Sequence, residues 1–543
     1  MKAKHIILSL LGAMSIGFAC TDLDNLNEDP NRVKDSDYDF SMADLGAALR
    51  YGSNLDYILT SGDKAGGGDL FDRVKNNLWE TWSQYFVVWG GNPGNNLIEP
   101  YWTANYGTWM ALLNGVIRDA DKNVGRENSK AVALIWRAYM LSTFTDFFGP
   151  VPFSSDPAAV SPDYMAVDGL YKQFFADLEE AVELFDPAKN MISEDDFIFG
   201  GDMLKWKKFA NSLRFNLALK VTEIDPELAK TQMKAALVAD GGLLQSDADD
   251  VLGRWYDSWG NGPAYGMIGW NNFVMTTTME KIVTGIGGMK YDGTATNKHP
   301  EYVDPRAVMW FDPSPVDDKN PAISSNFQGT NVSATVNNNA ACARISQRIK
   351  DDNRRPLDQL TYIQTCFMLA EAVERSFVSS AEAGGTAESW YTKGVTASFK
   401  RWGIENKAAD YLTSTMRNTW GTSAKYGDNT SAAGNTNLEK IVTQRYLGLF
   451  TDLSNQMWND KRRLNLPAMD IAQVRDDGYG NWPKDGDIYN PINYYQRSIY
   501  PQTQSINNKP KYDDGVSKLG GPDKVTTPLW WASKKSNYCT SAK

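Results

Sequence analysis

The residues that could do chemistry in this sequence are aromatic rings that stand beside glycine, asparagine and proline. The first group lies where the stretch LWETWSQYFVVW continues into GGNPGNN. Glycine and proline force irregular backbone there, so we expect Tyr85 and Trp89 to present ring faces, and Asn92 an amide, to a ligand. Trp79 and Trp82 are expected to pack in the core. For Trp89, ligand stacking and core packing both remain open.

A second group of rings lies within residues 250–340, where helical periodicity fades and tryptophan and tyrosine are mixed with Gly, Asn, Asp and Pro. This pattern indicates a loop-rich insertion, and binding residues concentrate on loops that a rigid scaffold carries. A stacked ring contributes on the order of 1 kcal/mol beyond the area it buries. The predicted ligand-binding residues are Tyr85, Trp89, Asn92, Trp255, Trp259, Tyr265, Trp270 and Trp310.

The sequence shows no catalytic or metal-binding motif. The chain has two histidines, His5 and His299, and His5 lies in the leader. One remaining histidine excludes multi-histidine metal centres and argues against zinc-dependent hydrolysis, and no G-x-S-x-G stands near a strand-like run. Asp247, Asp249 and Asp250 suggest calcium, but the glycine and the distal glutamate of an EF-hand loop are absent. We therefore expect no cofactor. A structural calcium ion stays open as an alternative, although no motif supports it.

Charge and composition narrow the class of protein. The net charge is −11 and no long Lys/Arg run is present, which argues against a nucleic-acid partner because an acidic chain repels phosphates. A binding module explains the aromatic loops without a catalytic constellation. A helical glycoside hydrolase is the enzyme alternative, since its two carboxylates, about 5–10 Å apart, cannot be recognised in a sequence rich in Asp and Glu. A purely structural surface protein would leave the aromatic loops unused.

Residues 1–19 are expected to be a secretory signal peptide, because Lys2 and Lys4 precede an apolar stretch that ends at Cys20. A cysteine at the cleavage point resembles that of a bacterial lipoprotein, so Cys20 is predicted to carry the acyl chains that hold the protein to the outer membrane. Residues 20–37 are polar and are predicted to be a tether. Its acidic start resembles a surface-export signal of Bacteroidetes, which predicts the cell surface.

Three cysteines follow the leader, namely Cys342, Cys366 and Cys539. Their odd number allows at most one disulfide, and their spacing fits no metal site. Cys366 lies within an apolar helical pattern and is expected to be a small buried hydrophobe.

The spacing of apolar residues predicts a helical scaffold for these groups. Stretch 131–153 has apolar residues at helical spacing, contains Arg137 and Asp146, and ends at Gly149-Pro150. This stretch is apolar on all faces, but its apolar run is too short and too often interrupted to span a bilayer. We therefore place it at the centre of an all-helical, solenoid-like core. The other predicted helices are 42–57, 78–89, 106–121, 170–185, 204–222, 226–238, 356–378, 388–402 and 438–460.

The spacing between corresponding helices indicates how they are organised. They recur roughly 65–70 residues apart rather than about 34, so helical pairs with long connections are predicted instead of a uniform tetratricopeptide array. We expect a single body, 38–543, with the loop-rich insertion at about 250–340. The segment from about 478 to 543 is rich in Gly, Pro, Asn and Tyr and is predicted to be irregular.

Separated motifs follow one another in order along the chain. They are the leader with DLDNLNEDPN, WRAYMLSTFTDFFGPVPFS, YKQFFADLEEAVELF, WKKFANSLRFNLALKV, YIQTCFMLAEAVER, EKIVTQRYLGLFTD with QMWNDKRR, SIYPQTQSINN and PLWWAS. Together they resemble the SusD/RagB family of nutrient-binding outer-membrane lipoproteins of Bacteroidetes, especially its SusD-like 2 branch. Arg462 and Arg463 in QMWNDKRR are expected to pack against the late helix and to pair with Asp460.

The resemblance implies an all-α fold in which divergent tetratricopeptide-like helical pairs support a loop-rich ligand face. It implies a binding protein and not an enzyme. Such proteins capture glycans, or in some lineages peptides, and sit on a SusC-like TonB-dependent transporter. Their ligands commonly contact the two aromatic regions described above, away from the helical pairs. The sequence names neither the ligand nor its class.

Overall fold

The computed structural model describes residues 45, 71–87, 95–189, 196, 198–253, 273–295, 297–316, 323–333, 341–352, 355–472, 495–534 and 536–541. Within these ranges helices form most of the regular structure, and the strands are only two to four residues long. The predicted all-α class is confirmed. None of the helices in these ranges is long and apolar enough to cross a membrane.

The regular elements are numbered along the chain. A helical segment, Phe71–Trp79 continued by Glu80–Trp82, comes first and is called the N-terminal helix. The later helices of ten residues or more are α1 (Asn95–Ala104), α2 (Met110–Lys122), α3 (Glu127–Phe148), α4 (Val167–Leu184), α5 (Met203–Lys220), α6 (Pro226–Val238), α7 (Tyr362–Glu374), α8 (Ala387–Arg401), α9 (Asn437–Gly448), α10 (Ser454–Leu464) and α11 (Lys509–Leu519). The strands are β1 (Phe86–Val87), β2 (Val151–Pro152), β3 (Tyr164–Met165), β4 (Val251–Gly253), β5 (Val274–Met275), β6 (Phe311–Asp312), β7 (Arg344–Ile345) and β8 (Leu357–Leu360).

Helices that are adjacent in sequence pack against each other. In the first half α2 packs on α3, α3 on α4, α4 on α5 and α5 on α6, and in the second half α7 packs on α8 and α9. Helix α5 also contacts α7, which joins the two halves. Successive packed pairs of this kind are typical of helical repeat architectures. The predicted helical pairs are therefore confirmed.

Helix starts follow signals that are local in the sequence. The Asp202 carboxylate caps α5, and Asp225 caps α6, which has Pro226 in its first turn. The carboxylates accept hydrogen bonds from backbone amides that have no partner within the helix, and the proline has no amide hydrogen to leave unpaired. Helix α9 begins with a capping box formed by Thr436 and Glu439. These signals explain why the predicted bounds of α5 and α6 lie within two residues of the observed ones.

Helix α3 is buried along almost its whole length. Its Trp136 packs edge-on against Trp206 of α5, with ring centroids 6.2 Å apart. The helix ends at Gly149, which has a φ of +99°. Residues other than glycine rarely adopt this backbone conformation, because their Cβ would clash. A Cβ there would also lie 2.9 Å from Cδ1 of Leu519. The predicted central helix and its glycine stop are confirmed.

Asp146, in the last turns of α3, is buried and gathers four hydrogen-bond donors. Its Oδ1 accepts from the Tyr171 hydroxyl at 2.6 Å and from Trp531 Nε1 at 3.0 Å. Its Oδ2 accepts from the Lys220 ammonium and from Asn459 at 3.2 Å. A buried carboxylate is tolerated only when it is paired and hydrogen-bonded. These bonds therefore fix α4, α5, α10 and the C-terminal segment against α3.

Arg462 and Arg463 of α10 take different partners. Arg463 Nη2 lies 2.8 Å from Oδ1 of Asp460, so the predicted pair is confirmed for this residue. The Arg462 guanidinium carbon lies 3.4 Å from the ring centroid of Trp458 and 4.5 Å from that of Trp531. Burial lowers the pKa of Arg462 to about 9. The predicted pairing with Asp460 is wrong for Arg462, which is held by two aromatic faces instead.

Three predicted helices have different bounds in the structure. The chain leaves the helix after Trp82, within predicted helix 78–89, and enters β1. Predicted helix 356–378 begins with β8, and predicted helix 438–460 is divided into α9 and α10. Strands β1 and β8 pair with β5 and β4. Because these partners are distant in sequence, local periodicity could not show the strands.

The C-terminal segment is more regular than its composition predicts. It contains α11, which has a proline in its first turn, and the short helix Gln502–Asn507. A proline in the first turn is compatible with a helix because its missing N–H would be unpaired there anyway. The segment also closes on the end of α3, because Arg497 Nε donates to the Phe148 carbonyl at 2.8 Å and the Tyr500 hydroxyl to the Pro150 carbonyl at 2.6 Å.

Replacing Asp146 by asparagine should lower the stability strongly. Asp146→Asn leaves the Lys220 ammonium buried without its counter-charge, and breaking a buried pair costs about 3–5 kcal/mol. We expect this decrease in the free energy of unfolding in a denaturant titration. The matched control is Asp240→Asn, which removes a pair with Lys207 whose aspartate is 74% exposed and should cost less than about 1 kcal/mol. Equal losses in the two variants would contradict the central role of Asp146.

Candidate ligand-binding site

A four-stranded antiparallel sheet brings together parts of the chain that are far apart in sequence. Its strand order is β1-β5-β7-β6. Phe86 pairs with Met275 and Val87 with Val274, and Val274 pairs on its other side with Arg344. The end of β1 therefore lies beside the start of β5, and β7 lies on the other side of β5.

Two segments that carry predicted ligand-binding residues, 88–94 in the loop after the first aromatic helix and 254–272 within the insertion, each have one described end at this sheet. Segment 88–94 follows β1 directly, and segment 254–272 runs from the end of β4 to the residue before Phe273, next to β5. Val87, Val274 and Cys342 pack together at this point and are buried. The sheet thus fixes one end of each segment next to the other.

The backbone that enters segment 88–94 is held in place by Gln84. This residue has a φ of +57°, and its Nε2 donates to the Asp470 carbonyl at 2.9 Å. The Thr276 and Thr278 hydroxyls donate to its backbone and side-chain oxygens. The Tyr446 hydroxyl also donates to the Gln84 carbonyl, at 2.9 Å. Sequence reasoning missed this residue because a lone glutamine after an aromatic helix carries no signal of its distant partners.

A chain of buried ion pairs connects the N-terminal helix to the turn between α9 and α10. Lys75 Nζ lies 2.5 Å from Glu80 Oε1 and 3.9 Å from Asp452 Oδ1. Arg355 donates to both Asp452 oxygens at 2.7 Å. Burial raises the pKa of Glu80 to about 7, against the opposing effect of Lys75. Burial acts on Asp452 in the same direction, but the Arg355 guanidinium holds the pKa of Asp452 well below its usual range.

A second buried group fixes the start of β4, the strand that leads into segment 254–272. Asp250 Oδ1 accepts from the Tyr362 amide at 2.6 Å, and its Oδ2 from Arg401 at 2.7 Å. Arg401 also donates to Asp358 of β8. Burial, with the repulsion of Asp358 added, raises the pKa of Asp250 to about 7 even though Arg401 opposes the shift. Both ends of segment 254–272 are thus attached to the helical body.

The insertion is anchored to the second half of the molecule by one buried arginine. Arg306 has no exposed surface and donates to Asp304 at 2.7 Å, to Ser398 of α8 at 3.0 Å and to Gln444 of α9 at 2.8 Å. The Phe399 ring covers the guanidinium, 4.8 Å from its carbon. Sequence reasoning missed Arg306, because no local pattern shows that its partners lie on α8 and α9.

Two predicted ligand-binding residues, Tyr85 and Trp310, are fully buried. The Tyr85 hydroxyl donates to the Tyr446 carbonyl at 2.6 Å, and its ring lies edge-on to Phe450 at 5.2 Å. The Trp310 ring stacks on the same Phe450 at 4.5 Å. The prediction that these two rings face a ligand is corrected: both belong to the core. Phe450 lies in the turn between α9 and α10, which no local pattern places beside them.

The other predicted site residues lie outside the described part of the chain. They are Trp89, Asn92, Trp255, Trp259, Tyr265, Trp270 and the expected lipidation site Cys20. Their roles stay predictions. By contrast, Trp79 and Trp82 are buried, and their expected place in the core is confirmed.

The described residues offer no evident metal site. Among them, no group of three or more His, Cys, Asp or Glu side chains could hold a metal ion. Cys342, Cys366 and Cys539 are free thiols, and Cys366 is fully buried in α7, as predicted. Burial raises the pKa of the Cys366 thiol to about 12, which keeps it protonated.

Asp250 should make the stability depend on pH. Its pKa is near 4 in an unfolded chain and about 7 in the fold. The folded state therefore binds the proton more tightly, so this stabilising contribution is complete below pH 4 and is lost as the pH rises to 7. Relative to wild type, Asp250→Asn should gain about 4 kcal/mol in free energy of unfolding between pH 4 and pH 8, measured by denaturant titration at each pH.

Asp247→Asn is the control for this prediction, because the Asp247 side chain is 58% exposed and pairs with Lys400 at the surface. Its pKa is lowered, mainly by the hydrogen bond from Lys400. This variant should not gain stability over wild type as the pH rises. Parallel pH curves for wild type and Asp250→Asn would contradict the assignment.

Comparisons with known proteins give the following likenesses. The SusD-like 2 family model, described as "Starch-binding associating with outer membrane", matches residues 90–481. No curated protein matches the sequence. A SusD homologue from Parabacteroides distasonis is 33% identical, with a TM-score of 0.80 over 92% of this chain and 99% of that one.

Two further solved structures share the fold at lower identity. A chitin-binding SusD homologue from Flavobacterium johnsoniae is 21% identical, with a TM-score of 0.71 over 90% of this chain and 98% of that one. A SusD homologue from Bacteroides vulgatus is 22% identical, with a TM-score of 0.74 over 93% of this chain and 100% of that one. At these identities the likeness concerns the fold alone.

Proposed function

The chain belongs to the SusD/RagB family of Bacteroidetes, and from this premise we propose that it is a cell-surface lipoprotein that captures glycans and delivers them to a SusC-like TonB-dependent transporter. The observation that carries the proposal is the four-stranded sheet, which fixes one end of each aromatic-rich segment side by side. Rings stack on sugar faces and neighbouring amides direct the hydroxyl groups. Loops of this composition on a rigid body are suited to capture.

The arrangement of acidic groups supports binding rather than hydrolysis. A glycoside hydrolase needs two carboxylates that face the substrate about 5–10 Å apart, one of them with a raised pKa. Burial raises the pKa of Glu80 and Asp250 to about 7, and these two acids are ion-paired with Lys75 and Arg401. Burial also raises the pKa of Asp358, which pairs with Arg401, and of Glu280, which accepts from the Gly329 amide. Each of these acids is thus held by a partner within the protein.

The charge of the chain favours an uncharged glycan. A net charge of −11 repels polyanions such as sulfated or uronic-acid-rich polymers and does not affect a neutral one. The chitin-binding homologue from Flavobacterium johnsoniae shows that the same fold can serve a neutral polysaccharide. We therefore propose neutral oligosaccharides or polysaccharides as the ligand class for this chain.

Removing a predicted ring should weaken glycan binding without unfolding the protein. A glycan and peptide array first identifies the ligand, and calorimetry then compares the variants. Trp89→Ala, Trp259→Ala and Trp270→Ala should each melt like wild type and bind about tenfold more weakly or worse, since each loses a stacked ring and its buried area. If the protein binds only peptides on the array, the proposal that its ligand is a glycan is refuted. If all three variants bind normally, the proposed location of the binding site is refuted.

Trp310→Ala is the contrasting variant, because Trp310 is buried against Phe450. It should lower the free energy of unfolding by about 3–5 kcal/mol. A Trp89, Trp259 or Trp270 variant that behaved in the same way would belong to the core.

The anchor and the transporter partner can be tested on the same membranes. Wild type should incorporate labelled palmitate and co-purify with a large β-barrel protein after detergent extraction, whereas Cys20→Ala should lose the label. Cys539→Ala is the matched control, since Cys539 is a partly exposed free thiol and should leave the label unchanged. If Cys20→Ala retained the label, the proposal that Cys20 is acylated would be contradicted. If no β-barrel protein co-purified, the proposed association with a transporter would be contradicted.

A further inference from the structure

A six-residue segment of the chain, 536–541, lies on the helical body without forming a helix or strand of its own. Its sequence, Ser-Asn-Tyr-Cys-Thr-Ser, carries no charge. Asn537 and Thr540 are exposed, and the other four residues are only partly buried. Of its side chains, Tyr538 and Cys539 pack against an apolar cluster of the body. The body therefore holds this segment as proteins hold a bound peptide, by a few specific contacts at the surface.

The tyrosine of the segment is recognised at the end of α7. The Arg375 guanidinium carbon lies 5.2 Å from the ring centroid of Tyr538, within the range of a cation–π contact. The Tyr538 hydroxyl donates to Glu223 at 3.1 Å and accepts from Arg375 at 3.4 Å. The Ser536 hydroxyl donates to the same carboxylate. Because the Tyr538 amide also donates to the Leu464 carbonyl at 3.0 Å, the ring, the hydroxyl and the backbone of this residue are all bound.

The threonine of the segment is held at the start of α9. The Thr540 amide donates to Oε1 of Glu439 at 2.6 Å, and its hydroxyl donates to Oε2 at 2.9 Å. The same hydroxyl accepts from the Gly434 amide at 2.8 Å. Gly434 has a φ of +75°, and a Cβ there would lie 2.8 Å from Oγ of Ser541. Glycine therefore lets the segment approach the backbone closely.

The residues that make these contacts are called the Tyr538 groove, and they are Glu223, Arg375, Gly434, Glu439 and Leu464. Both carboxylates of the groove have partners besides the segment. Glu223 is paired with Arg375, and Glu439 accepts from the Thr436 amide at 2.9 Å in the capping box of α9. Release of the segment thus leaves neither carboxylate without a partner, so the groove can stay formed when the segment leaves it.

The Tyr538 groove is separate from the proposed ligand face. Glu439 lies at the start of α9, whereas Tyr446, about two turns later, donates to the Gln84 carbonyl at the entry to segment 88–94. Since a helix rises about 1.5 Å per residue, the two contacts lie roughly 10 Å apart along α9. Glu223, Arg375 and Leu464 lie at the ends of α5, α7 and α10.

We propose that the Tyr538 groove is a peptide-binding site: segment 536–541 occupies it within the chain, and a peptide of another polypeptide with the pattern Ser-x-Tyr-x-Thr binds in its place. The pattern follows from the contacts, because the hydroxyl groups two residues before and after the tyrosine meet Glu223 and Glu439. A carboxylate or phosphate at either position would face a groove carboxylate and be repelled. The partner is therefore an uncharged, hydroxyl-rich peptide, and its binding does not depend on glycan capture.

The test uses the full chain with Tyr538→Ala and Thr540→Val, two substitutions that weaken the segment and leave the groove residues unchanged. A fluorescein-labelled peptide, Ser-Asn-Tyr-Ser-Thr-Ser, is titrated and followed by fluorescence anisotropy. The peptide should bind this double variant to saturation. Wild type should bind it at least about tenfold more weakly, because its own segment competes at an effective concentration in the millimolar range.

Two controls show whether the peptide binds in the groove. A peptide with alanine in place of the tyrosine should not saturate the double variant. Adding Glu439→Gln should weaken binding by about tenfold, because it removes a charged acceptor, while glutamine keeps the capping box of α9. Absence of saturation, equal binding of the two peptides, or no effect of Glu439→Gln would overturn the proposal.

Cys539 provides a second measurement on wild type, which decides the question should the double variant not fold. Unlabelled peptide in millimolar excess should displace the segment, so alkylation of Cys539 by iodoacetamide should become about threefold faster or more, as read by mass spectrometry. Cys366 is the matched control, because it is fully buried in α7 and should react at an unchanged rate. A rate at Cys539 that does not respond to the peptide would refute displacement of the segment and with it the proposal.

Discussion

The carboxylates of Asp146 and Glu371 lie in the interior of the protein, and the packing of the helices depends on their partners. Glu371 in α7 accepts from Arg445 and Arg463 at 2.6 Å and lies 3.0 Å from Arg375. Burial opposes its ionisation, but these guanidinium groups hold the pKa of Glu371 well below its usual range. Removal of Lys220 would leave the buried charge of Asp146 uncompensated. The segments that supply the partners must therefore fold together.

This constraint explains why the motifs that resemble the family are spread along the whole chain. The motif around the central helix supplies Asp146, the Leu-Ala-Glu-Ala motif supplies Glu371, the Asp-Lys-Arg-Arg motif supplies Arg463, and the closing motif supplies Trp531. Each motif holds one part of a hydrogen-bonded cluster and is incomplete without the others. Their order in the sequence therefore carries more information about the fold than any one of them.

The same use of buried charge extends to the ends of the predicted ligand-binding segments. Glu80 near the first segment and Asp250 near the second are both buried and ion-paired. Two anchored ends leave the residues between them able to vary without loss of the fold, which is how a rigid body carries binding loops. The cost is that burial raises the pKa of both carboxylates to about 7, even though Lys75 and Arg401 oppose the shift.

The sequence by itself determined most of the helices, their pairing and the family. Helical periodicity depends on residues three or four positions apart, so α3, α5 and α6 could be read locally. Only the tertiary structure decided that Tyr85 and Trp310 are core residues. A ring beside glycine or proline looks the same in a sequence whether it meets a ligand or a distant side chain, and here both rings meet Phe450. Strands of two residues have no period to detect, so the sheet that joins the segment ends also had to come from long-range pairing.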